Sequence, residues 1–178
     1  MAMSVEPPDP TLPGRLREFH ATLPLAGGRP NALLALPDDQ LLSLAAVLRD
    51  TPQAGPALSL EAWREVLGLL RPHGLYALLA YRLGAWPEEC RPPAEVMDFL
   101  KRQHLVAAAR SLRAGRQIRT VVDALEAAGI PSVLLKGPAL ARTVYPDPAL
   151  RQSGDIDLLV RPGNVLAAEG VVEGVLQK

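Results

Sequence analysis

Apolar residues along the first two thirds of the chain recur in steps of three and four, the spacing that lays one face of an α-helix on a core. Leu41, Leu44, Ala45 and Leu48 form one such set, with Asp38 and Asp39 placed to cap its start and Thr51-Pro52 to end it. After a proline-glycine break over 52–56, Ser59 precedes a second set: Trp63, Val66, Leu67 and Leu70, which predicts an amphipathic helix to Leu70. Arg71-Pro72-His73-Gly74 reads as a turn, and Leu75–Leu83 as a short helix before Pro87, Pro92 and Pro93 interrupt. A long helix is predicted from Ala94 to Ala128, with Gly115 a point for a kink. Its expected seam is Leu105, Ala108, Leu112, Gly115, Ile118, Val122 and Leu125.

At Gly129 the pattern changes. That glycine predicts a left-handed helix stop, and the mainly apolar run Ser132–Lys136 reads as a buried strand. Gly137-Pro138 turns the chain, with Pro138 suited to the first position of a helix through Tyr145. Asp155–Val160 predicts a second strand, Arg161-Pro162-Gly163 a turn, and Asn164 the cap of a last helix reaching Lys178. The chain therefore reads as α+β. Residues 1–30 are an irregular proline-rich lead-in with room for one short helix at Leu16–Thr22. Residues 31–128 are a helical region, and 129–178 a strand-helix-strand-helix unit.

Composition fits that division. Apolar residues make up 48% of the 178, aromatics only 4%, so Leu, Ala and Val must build the core. Eighteen prolines are about twice ordinary usage, yet no Gly-X-Y period accompanies them and the apolar content opposes wholesale disorder. Nineteen basic residues balance 19 acidic ones, which leaves no global field to draw in nucleic acid or an anionic membrane. A single cysteine, Cys90, makes no internal disulfide and no Cys-rich zinc site. No apolar run approaches the ~18 residues of a membrane span, and the start of the chain, with Glu6 and Asp9, is unlike a signal peptide. A cytoplasmic location is expected.

The chemistry-bearing residues cluster in the last 50 positions. Asp155 and Asp157, two apart on the expected strand, would point to one face with α-carbons roughly 6.5–7 Å apart. Two carboxylates on an apolar strand repel each other and resist burial, and a hard cation such as Mg2+ would resolve that. Lys136-Gly137 stands where a strand meets a helix. Backbone N–H groups and the helix dipole there favour an anion, and Pro138 leaves the donors to Gly137 and to Ala139 onward. Arg151, Ser153 and Gly154 immediately precede the first aspartate; Arg151 could balance a triphosphate or pair with Asp147. A phosphate cradle followed by a carboxylate pair suggests a metal-nucleotide site.

Together, Val133–Ala141 (Val-Leu-Leu-Lys-Gly-Pro-Ala-Leu-Ala), Tyr145–Arg151 and Gly154–Val160 (Gly-Asp-Ile-Asp-Leu-Leu-Val) resemble the bacterial uncharacterised nucleotidyltransferases of the polymerase-beta-like superfamily. The segment Arg71–Leu79 looks similar to part of that family's helical region. The resemblance implies a mixed sheet with flanking helices. It also implies two Mg2+ ions, with Mn2+ an alternative, and in-line transfer of a nucleotidyl group from an NTP to an acceptor it does not identify. By motif position Asp155 and Asp157 would be the catalytic metal ligands, and Lys136, Gly137, Arg151, Ser153 and Gly154 would serve the nucleotide. The chain departs from the superfamily in having Gly137-Pro138 where Gly-Ser or Gly-Gly is usual, and in reaching Asp155 only 18 residues later. The superfamily's third carboxylate comes from a later strand, and here only a turn and a helix follow Val160. Glu169 and Glu173 read as a solvated helix face, so the expectation is an incomplete core: a truncated member, inactive or impaired at this length.

Other signals carry less. Arg110, Arg113, Arg116 and Arg119 sweep roughly half the helix circumference at about 60° per step, which favours a solvated face over a nucleic-acid wall. No Gly-x4-Gly-Lys-Ser/Thr loop is present, against a P-loop NTPase. A manganese-dependent sugar-nucleotide glycosyltransferase shares Asp-x-Asp, but it needs alternating strands and helices ahead of the motif. The non-enzymatic alternative is a degenerate transferase fold that binds a nucleotide or a partner without turnover.

Overall fold

The computed structural model describes residues 36–52 and 58–177; the expected lead-in over 1–30, with its short helix, lies outside them. The chain divides into two compact units, Met1–Gln103 and His104–Lys178.

The described part of the first unit is helical. Helix α1 (Asp38–Arg49) starts one residue earlier than a capping role for the aspartates requires. Pro37 holds the cap position, no side chain bonds there, and Asp38 and Asp39 lie in the first turn, where they complement the helix dipole. Its end is fixed by Asp50, left-handed at φ 56°. The Asp50 carboxylate accepts the Trp86 indole N–H at 3.0 Å and pairs with Arg82 at 3.0 Å. Helix α2 (Leu60–Leu70) is capped by Ser59, whose Oγ accepts the Ala62 N–H at 3.1 Å. It buries Trp63, Val66, Leu67 and Leu70, the set its spacing predicts. A 3-10 turn at Arg71–His73 and left-handed Gly74 lead into α3 (Tyr76–Ala85).

The unit's core joins Val47, Leu67, Leu70, Leu79 and Leu83 to Val96, Phe99 and Leu100 from the start of α4 (Ala94–Ala127). Tyr76 is its polar anchor. The hydroxyl donates to the Leu67 carbonyl at 2.6 Å, and the ring meets Phe99 edge-on with centroids 5.2 Å apart. Burial pushes the Tyr76 phenol well above its ordinary pKa, with Arg71 opposing part of the rise.

Helix α4 is continuous through Gly115. The expected seam is half right: Ile118 and Leu125 are buried, but Leu105 and Leu112 are 67% and 70% exposed. Six steps averaging less than 3.6 residues wind that seam roughly 160° around the helix, so it cannot face a single core. The residues buried instead include Ala107 and Val121.

Gly129, left-handed at φ 70°, ends α4 as predicted. The second unit continues with β1 (Ser132–Leu135), α5 (Lys136–Thr143), a 3-10 turn at Pro148–Leu150, β2 (Asp157–Val160), a second 3-10 turn at Pro162–Asn164 and α6 (Val165–Leu176). The strand-helix-strand-helix order is the expected one; the Asn164 side chain makes no capping bond. Where the resemblance implies a mixed sheet, the described residues hold two antiparallel strands, with Ser132 opposite Val160 and Leu135 opposite Asp157. Leu158 and Val160 pack one sheet face against Val121, Leu125, Ile130 and Ala168. Val133 and Leu159, on the other face with Leu135 and Asp157, are each 56% exposed.

Both strands are shorter than predicted, for one reason. Lys136 turns left-handed at φ 52° and takes the chain out of β1 one residue early. Opposite that turn, Ile156 and Asp155 have no strand partner, so β2 begins at Asp157.

Candidate active site

The β1–α5 junction organises the site. Lys136 opens α5 with φ 52°, a region costing a non-glycine residue on the order of 1 kcal/mol. Pro138 is therefore the third residue of α5 and not the first. Gly137 is buried, and a Cβ there would overlap Ser153 Oγ and come within 3.0 Å of Ser153 Cβ. Only glycine lets the segment before the aspartates lie this close to the loop. Two residues expected to serve phosphate, 16 positions apart in the chain, are thus in direct apposition.

Asp157 is the first residue of β2, facing Leu135 across the ladder. Its Oδ2 is buried and accepts no hydrogen bond, while Lys136 Nζ stands 3.2 Å away as an ion-pair partner outside hydrogen-bond geometry. Asp155 is exposed and precedes the strand, so pleat alternation does not bring it to the face of Asp157 as a strand from 155 would. Arg151 is exposed, its guanidinium donating to the Gln152 carbonyl at 2.7 Å. It does not pair with Asp147. That carboxylate accepts the Ala149 N–H at 2.8 Å and lies 3.7 Å from His104 Nε2. Gly154 is exposed, and a Cβ there would meet nothing within 4 Å.

Two further contacts near the site join residues distant in the chain. His104 on α4 comes within 3.7 Å of the Asp147 carboxylate, an approach of residues 43 positions apart that no local pattern announces. Arg142 donates to the Pro138 carbonyl at 3.0 Å and lies over Gly115, where a Cβ would stand 3.0 Å from the guanidinium. The four-residue spacing from Pro138 to Arg142 was a legible signal; the contact with Gly115 was not. Arg110, Arg113, Arg116 and Arg119 are all exposed, and so are Glu169 and Glu173.

The donor set suits a hard divalent cation. Magnesium takes one or two carboxylates and completes its shell with water and substrate phosphates. Asp157 offers a buried oxygen that accepts no hydrogen bond, and the packing of Gly137 on Ser153 sets the loop beside the segment that leads to the aspartates. Among the described residues no group of three or more His, Cys, Asp or Glu side chains is placed to hold a metal, so the pair would depend on the substrate's oxygens. No helix among the described residues is long and apolar enough to cross a membrane.

No curated protein and no solved structure matches the chain. The sequence pattern of one family does, over residues 59–174, a span that takes in α2 through most of α6 and every residue of the site. By that match the chain belongs to the uncharacterised nucleotidyltransferase family.

Proposed function

We propose that the protein transfers a nucleotidyl group from an NTP to an acceptor in a reaction that requires Mg2+ or Mn2+, held by Asp155 and Asp157. The observation that carries this reading is the buried, unsatisfied Oδ2 of Asp157 beside the Lys136-Gly137 loop. A carboxylate oxygen in that state needs a cation beside it; Lys136 supplies one at 3.2 Å, and a divalent ion in its place would bind the oxygen directly.

Each residue has a task in this scheme. The N–H groups at the start of α5 lack helical partners and, with the dipole, favour phosphate oxygens. Gly137 lets the loop pack directly on Ser153, Lys136 adds a point charge, and Arg151, Ser153 and Gly154 belong to the segment that leads from that contact to the aspartates. A divalent cation bound there would neutralise phosphate charge and stabilise the attacking and leaving oxygens of an in-line displacement. A cytoplasmic setting suits a reaction that consumes NTP.

A second reading is a binding module without turnover. It is favoured by the lack, among the described residues, of a third acidic group beside the two aspartates. Equilibrium binding of labelled NTPs with Mg2+ and with EDTA, followed by a transfer assay with candidate acceptors, separates the two. We expect binding that needs the metal and disappears in the Asp155→Ala/Asp157→Ala double variant. Equal binding in EDTA would remove the metal assignment, and metal-dependent binding without transfer would select the binding module.

A further inference from the structure

We infer that Lys136 couples the two ligands of this site: its ammonium is the resident counter-cation of Asp157, and it leaves when a nucleotide phosphate arrives. Metal and NTP then bind as a pair, and metal alone binds poorly. The inference rests on the reading that Asp157 ligates a cation.

Three observations meet at this residue. First, Asp157 Oδ2 is buried and unsatisfied by any hydrogen bond, and Lys136 Nζ at 3.2 Å is the cation paired with it. An incoming divalent ion must displace that ammonium or sit against it, and like charges oppose each other there. Second, the Lys136 side chain is 72% exposed, so it is held to Asp157 weakly and can swing away. An ion pair of this exposure is worth at most about fivefold in an equilibrium constant. Third, the left-handed backbone at Lys136 and the register of Leu135 against Asp157 fix where the lysine stem begins, whichever partner its tip chooses. The adjacent Gly137 N–H is where the proposed function puts phosphate, within reach of the same flexible four-carbon stem.

The ammonium therefore has two anionic partners available in turn. Without nucleotide it occupies Asp157; with nucleotide it moves to phosphate and vacates Oδ2 for the metal. By linkage, whatever NTP does for metal affinity, metal does equally for NTP affinity.

The test uses the full chain and four proteins: wild type, Lys136→Met, Lys136→Arg and Asp157→Asn. Circular dichroism first confirms that each is folded. Mn2+ binding is then measured by electron paramagnetic resonance without nucleotide, and binding of a fluorescent ATP analogue at saturating Mn2+. K136M should bind Mn2+ alone about three- to fivefold more tightly than wild type while binding the analogue more weakly. K136R should keep the wild-type pattern. If K136M binds Mn2+ alone no better than wild type while D157N loses binding, the coupling role is refuted and the metal site stands. If D157N binds Mn2+ as well as wild type, the metal site itself fails and the coupling falls with it.

Discussion

Replacing Gly137 by alanine tests whether the close approach of loop and strand leader is what demands glycine. The new Cβ would overlap Ser153 Oγ and stand 3.0 Å from Ser153 Cβ. Ser153 is exposed and its hydroxyl makes no hydrogen bond among the described residues, so the oxygen can rotate clear at little cost. The Cβ–Cβ contact is not relieved by rotation, and the two segments must part by a few tenths of an ångström. Overpacking of this kind costs ~1–3 kcal/mol, and the exposed partner puts this site at the low end, about 1 kcal/mol. For a chain of this size that is a melting shift of roughly 2–4 °C. A double-mutant cycle isolates the contact: Ser153→Gly removes both offending atoms, so the double variant should recover about 1 kcal/mol relative to the sum of the singles. Urea unfolding followed by far-ultraviolet circular dichroism measures all four proteins. If the single losses simply add, the contact with Ser153 is not the reason for glycine at 137.

Tyr76→Phe should cost the helical unit about 1 kcal/mol in urea unfolding, the low end for a buried hydrogen bond, because Leu67 O also accepts the Arg71 N–H. Because burial raises the folded-state pKa, the tyrosine's contribution is complete below about pH 10, where the unfolded phenol titrates, and falls as pH rises beyond it. Y76F should lack that part of the alkaline loss, read as the difference between the two proteins' urea midpoints across this range. Asp50→Ala removes the acceptor of the Trp86 N–H and the Arg82 partner, and forces alanine to φ 56°; about 2 kcal/mol should be lost. Asp50→Asn keeps an acceptor and tolerates the left-handed backbone, so tryptophan-monitored unfolding should put it within about 1 kcal/mol of wild type.

What could be read from the chain was what local rules govern. The helix at Leu60–Leu70, the stop at Gly129 and the order strand-helix-strand-helix follow from capping, left-handed glycine and apolar spacing. Pairing Gly137 with the aspartate segment was legible as motif chemistry. That Ser153 is the residue pressed against Gly137 is a tertiary contact, and no spacing encodes it. The strand ends were misplaced because a lysine at φ 52° leaves no compositional mark, whereas a glycine there would have. The buried seam of α4 is shorter than its periodicity suggests, because a periodic pattern does not encode which core each part of a 34-residue helix serves. The carboxylates were found and their setting was not: Asp157 sits in the ladder, Asp155 ahead of it.

Trp63 and Trp86, the only tryptophans in the chain, are both buried in the helical unit's core. Tryptophan emission therefore originates in that unit alone, and the unit carrying Lys136, Gly137 and Asp157 contributes none of it. A fluorescent nucleotide can be followed at the site without indole background from its own unit. The same asymmetry makes two optical probes disagree usefully: a denaturation curve read by tryptophan follows the first unit, while circular dichroism averages over both. Any gap between the two midpoints measures how independently the site-bearing unit melts.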